Sequence, residues 1–90
     1  MAGTILVHSI PVLSLFDSGA SHYFISSRFT ASHSIPLVCL GDLWKISTGY
    51  GVVITNRICK ACTVELCDRK LEADMFVLDT GGHDVILCMT

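Results

Sequence analysis

Asp17-Ser18-Gly19 stands where the apolar run Val12-Leu13-Ser14-Leu15-Phe16 stops, and Ala20 follows it. A carboxylate held at the end of a strand can activate water. The short hydroxyl of Ser18 can bond across to an opposing loop, and Gly19 lets two backbones approach closely. The chemistry that suits an acid placed this way is hydrolysis by two carboxylates that share one proton. A chain of 90 residues supplies one such loop, so the second carboxylate is expected from a second copy of the chain.

Other groups invite chemistry and are weaker. Asp79-Thr80-Gly81 repeats the triplet, but the stretch from Asp17 to Asp79 is too short to hold a separate lobe. It reads as a Gly81-Gly82 turn before the last strand. Ser18 or Ser21 beside His22 could suggest a serine hydrolase, yet no Gly-x-Ser-x-Gly elbow is present. Cys59, Cys62 and Cys67 offer three thiols at close spacing, with His83 or Cys88 as a fourth zinc ligand. On a regular strand the odd interval between Cys59 and Cys62 puts them on opposite faces. Buried or edge thiols are therefore the expectation, with no metal and no cofactor.

The totals bound what such a site can belong to. Ninety residues make one domain, and a chain this short gains stability by dimerising. Apolar residues are 51% of the chain and charged ones 16%, a balance that points to surface buried against a partner. A net charge of −2 with scattered lysines and arginines gives no basic patch for nucleic acid. No run approaches the ~18 apolar residues of a membrane span. Five cysteines at uneven spacing suit free thiols in a reducing, cytoplasmic compartment better than a disulfide framework.

The elements that must position the acid are short β-rich segments broken by turn residues. Thr4 to Val7 and Val12 to Phe16 read as strands around Ser9-Ile10-Pro11. Tyr23-Phe24-Ile25 is a third apolar run, and Ser26-Ser27 can cap a short helix through Arg28 to Ser32. Leu37 to Leu40, Leu43 to Ile46, Val52 to Ile54 and Arg57 to Leu66 follow as strands. Ser47-Thr48-Gly49-Tyr50-Gly51 is the expected hairpin tip, its glycines permitting positive φ. Leu71 to Leu78 and Asp84 to Leu87 complete the set. Trp44 reads as a core residue, and His8, His22 and His33 as surface or half-buried ones.

Leu15-Phe16-Asp17-Ser18-Gly19-Ala20-Ser21-His22-Tyr23-Phe24-Ile25 resembles the protease segment of Ty3/gypsy-type retrotransposon polyproteins, especially those of plants. The likeness continues through Ile35-Pro36-Leu37, Gly49-Tyr50-Gly51, the run Leu71 to Leu78, and Asp84 to Met89. It implies a mostly β, retropepsin-like fold: a small closed acid-protease barrel, one lobe per chain, with at most one short helix. It also implies an aspartic endopeptidase that works as a homodimer on polypeptide substrate. Asp17 would be catalytic, Ser18, Gly19 and Ala20 would shape its loop, and Ser47, Thr48, Gly49, Tyr50 and Gly51 would form a flap.

The resemblance sets Ile86, Leu87 and Cys88 beside the active loop, where the family carries two apolar residues and glycine. Cys88 in place of that glycine is expected to crowd tightly packed backbones or to force an unfavourable φ. The family's C-terminal helix has no counterpart before Thr90, so the single domain, residues 1–90, is expected to be cut short at that end. Both departures leave a rival reading, a degenerate dimerisation module without activity, and behind it a small zinc-binding domain.

Overall fold

The structure, a computed structural model, describes residues 5–17, 19–48, 51–66 and 68–88. Ser18, Gly49, Tyr50 and Cys67, each singled out above, lie outside the described residues. The fold is mostly β with one short helix. Strands β1 (Leu6–Val7) and β2 (Ile10–Pro11) form a hairpin whose turn residues, His8 and Ser9, both have positive φ (50° and 65°). Two successive left-handed residues suit the right-handed twist of the flanking strands. Ile10-Pro11, expected as a connection, is thus a strand.

Strand β3 (Ser14–Asp17) carries the acid, β4 (Tyr23–Ser26) follows, and α1 (Ser27–Ser32) starts at the end of β4. The Ser26 side chain accepts hydrogen bonds from the Arg28 and Phe29 amides, 3.1 and 3.3 Å, and so caps the helix as its sequence suggests. Two long strands come next, β5 (Val38–Thr48) and β6 (Gly51–Leu66), then β7 (Arg69–Leu78) and β8 (Val85–Cys88). The four middle segments read separately in the sequence are therefore two continuous strands. The breaks in both fall at one register shift, where Cys39 and Trp44 of β5 pair with Arg57 and Thr55 of β6; a second shift, between Cys59 and Cys62 on β6 against β7, lies inside the segment Arg57 to Leu66.

The strands make one curled sheet in the order β2-β1-β6-β7-β4-β8-β3, with β5 paired to β6 off this path. Its centre is buried on both faces, and the two-residue period of a strand sorts the apolar runs into two cores. Ile25, Met75, Val77, Val85 and Leu87 enter one cluster, with Val7, Phe29, Cys59 and Cys62. Their neighbours Phe24, Phe76 and Ile86 enter the other, with Ala20, Ile46 and Ile58. Strands buried on both sides need unbroken apolar runs, and β4, β7 and β8 have them.

Three expectations are corrected here. Trp44 is 48% exposed and lies on the β5–β6 ribbon, where Leu43, Val52 and Ile54 are exposed as well. Its ring rests on that of Phe76 at 5.7 Å without entering the core. Cys59 and Cys62 do not take opposite faces: the bulge between them, with Ala61 at φ 50°, adds a step and turns both into the same cluster. Cys88 forces no unfavourable φ, since it continues β8 in extended conformation and is half-buried.

Candidate active site

Asp17 is the last residue of β3, and β3 lies parallel to β8 with Asp17 opposite Cys88. The pairing is anchored at its other end by Asp84. The Asp84 carboxylate accepts from the Leu13 amide at 2.9 Å, and the Asp84 amide donates to the Leu13 carbonyl at 2.7 Å. The Ser26 amide adds a bond to the Asp84 carbonyl, also 2.7 Å. One residue thereby joins the start of β3, the start of β8 and the end of β4. Ile86, Leu87 and Cys88 then run beside Leu15, Phe16 and Asp17 of the acid strand.

Beyond β3 the chain turns tightly over Asp17. The Gly19 amide donates to the Asp17 carboxylate at 2.8 Å, and the Ala20 amide donates to the Asp17 carbonyl at 3.2 Å. A backbone donor to the carboxylate fixes its orientation. Ala20 is buried in the second core, which pins the loop from below. Asp17 itself is half-buried, and Phe16 beside it is 50% exposed.

Ser21 ties this loop to the hairpin ribbon. Its amide and its hydroxyl both donate to the Ser47 carbonyl, 3.3 and 3.1 Å. Sequence reasoning missed this contact, because nothing local marks a serine that bonds a carbonyl 26 positions away. The bond also answers the serine-hydrolase reading. A hydroxyl whose proton goes to Ser47 can only accept from His22 Nδ1, 2.9 Å away. That is the reverse of the transfer a histidine base requires. The His22 ring instead packs edge-on against Phe76 at 5.3 Å.

At the ribbon's end Ser47 pairs with Val52 and Thr48 with Gly51, which has φ 118°. The Thr48 hydroxyl donates to the Gly51 carbonyl at 2.9 Å. Ser47, Thr48 and Gly51 are therefore the base of the expected hairpin. Between the ribbon and the turn after β7 lies a groove of about 380 Å³, walled by Thr48, Val53, Leu78, Thr80 and Ile86. Its floor on one side is the Asp79 turn, where the Asp79 carboxylate accepts from the Gly81 amide at 3.1 Å. The Thr80 hydroxyl closes that turn by donating to the His83 carbonyl. Asp79 has a structural bond here and is not brought to Asp17 by any described contact.

A strand-end carboxylate, a glycine amide upon it and a ribbon over an apolar groove are parts suited to holding an extended peptide against a water-activating acid. The family model for retroviral aspartyl proteases matches residues 1–90. No curated protein matches the chain closely enough to serve as a named relative.

Proposed function

The chain belongs to the retroviral aspartyl protease family, and from that premise we propose that it is an aspartic endopeptidase acting as a homodimer on a retrotransposon polyprotein of the Ty3/gypsy type, as in plants. The observation that carries the reading is the Asp17 carboxylate, held at the end of β3 by the Gly19 amide. Two copies related by a two-fold axis would bring two such carboxylates together. At about 3 Å like charges cannot both ionise, so one carboxyl keeps its proton. It donates to the scissile carbonyl while the other takes a proton from the attacking water. Both pKa values then belong to the pair.

Several features support the partner and the substrate. Phe16 and Leu13, 50% and 59% exposed, put apolar surface along the acid strand, and such surface favours a covered state. Thr48 at the ribbon base walls the groove in which an extended polypeptide could lie. Cys39, Cys59, Cys62 and Cys88 are free thiols, which suits a reducing, intracellular setting.

The rival, a dimer without activity, rests on Cys88 beside Asp17. Peptide cleavage at about pH 5, in the acid range that a shared-proton dyad favours, separates the two. Cutting that pepstatin blocks and Asp17→Asn abolishes supports the enzyme. A folded dimer that cuts nothing, before and after Cys88→Gly, overturns it.

A further inference from the structure

We propose that His8, Cys59 and Cys62 form a zinc site, with two thiolates and one imidazole as protein ligands and water in the fourth position. Their ligand atoms all lie within 4.8 Å of one another, and Cys59 Sγ is 4.0 Å from His8 Nε2. Zinc bonds of about 2.3 Å to sulfur and 2.0–2.1 Å to nitrogen put tetrahedral ligands roughly 3.5 Å apart. A contraction of at most about 1.3 Å closes the site, and the exposed His8 side chain can move to supply it.

The backbone is bent to bring these three together. Among the described residues, three of the five non-glycine ones with positive φ are His8, Ser9 and Ala61. His8 and Ser9 make the β1–β2 turn, and the His8 amide donates to the Thr63 carbonyl at 2.9 Å, which lays the turn on β6. Ala61 is the bulge that puts Cys59 and Cys62 on one face, and its amide is held by the Asp74 carboxylate at 2.8 Å. A left-handed alanine is disfavoured, because its Cβ crowds the following carbonyl. Without the bulge the two thiols would point to opposite faces and no common ligand could reach both.

The donor set selects the ion. Thiolate with imidazole suits zinc, whereas magnesium and calcium require oxygen ligands. Cys59 and Cys62 are 1% and 0% exposed, so the ion would be reached from the His8 side, where solvent completes the tetrahedron. Binding exchanges the two thiol protons for the ion. The consequence is a staple between the β1–β2 hairpin and β6, useful in a domain too small for a large core. None of the three residues belongs to the acid loop, and Cys59 and Cys62 lie on β6 beyond its pairing with β5.

The test is titration of the reduced, full chain with zinc against a chromophoric chelator, and with cobalt(II) as a spectroscopic probe. One equivalent should bind, and cobalt should show thiolate-to-metal charge transfer. His8→Gly, which keeps the turn's positive φ, should weaken zinc at least about 100-fold, more than loss of an outer-sphere partner costs. Cys39→Ser, at an exposed thiol, should bind as the parent does. Failure of the folded parent chain to bind zinc would overturn the site, leaving two buried core thiols. Binding that survives His8→Gly unchanged would overturn it equally.

Discussion

Asp17 and Cys88 are register partners on the parallel strands β3 and β8, the acid at the end of one strand and the thiol at the end of the other. Cys88 also lines, with Phe16, Tyr23 and Leu87, an apolar cavity of about 150 Å³. A side chain at this position is therefore accommodated by the extended backbone on one side and by open space on the other.

Replacing Cys88 with glycine should cost stability and gain no relief of strain. A glycine inside a strand loses about 0.5–1 kcal/mol to backbone entropy, and the lost contacts add to it. Denaturant unfolding should give Cys88→Gly a lower midpoint than the parent. A higher midpoint would mean that the thiol is crowded after all.

Ser21→Ala removes the hydroxyl bond to Ser47 but leaves the amide bond in place. A neutral hydrogen bond is worth about 0.5–1.5 kcal/mol. If that bond sets the ribbon over the acid, kcat/KM for peptide cleavage should fall by up to about tenfold. The melting temperature should fall by no more than the few degrees that one such bond is worth in a domain of this size. Unchanged cleavage would assign the bond to loop packing alone.

Asp84→Ala should be among the most damaging single changes outside the core. It strips the Leu13 amide of a charged acceptor and loosens the register that sets Asp17. The expected loss is about 1.5–3 kcal/mol, read by chemical denaturation. Asp84→Asn, whose side-chain oxygen can still accept, should lose less.

How far these elements were legible in the sequence depended on how local their causes are. Ser26 as a helix cap, the positive φ of Gly51 at the hairpin and the apolar runs of β4, β7 and β8 all act within a few residues, and each was readable. The acid loop was readable too, because strand, carboxylate and glycine are neighbours in the chain. Asp84 and Ser21 were not, since their partners, Leu13 and Ser47, are brought to them only by the sheet. The same face for Cys59 and Cys62 hangs on one left-handed alanine, a conformation that residue type argues against. Trp44 misled because a large aromatic predicts burial, whereas on the ribbon its ring covers Phe76 from outside.

Burial pushes the Cys62 thiol up to about 12 from 9.0, and raises Cys59 as well. The groups facing the pair are His8 from the β1–β2 turn and Asp74 from β7. The folded state thus holds a proton that the unfolded chain releases above pH 9.0. This contribution to stability is complete below 9.0 and is lost as pH rises toward about 12. With a chelator present, stability should fall over that window more steeply for the parent than for Cys62→Ala. Equal slopes would contradict the burial of the thiol.

The central claim is that each catalytic centre needs one Asp17 from each of two chains. Mixing wild-type chains with increasing Asp17→Asn chains at fixed total concentration, after dissociation and reassociation, tests it most directly. The account predicts that peptide cleavage falls as the square of the wild-type fraction, because a mixed dimer holds only one catalytic carboxylate. A fall in simple proportion to the wild-type fraction would place a complete site in a single chain and contradict it.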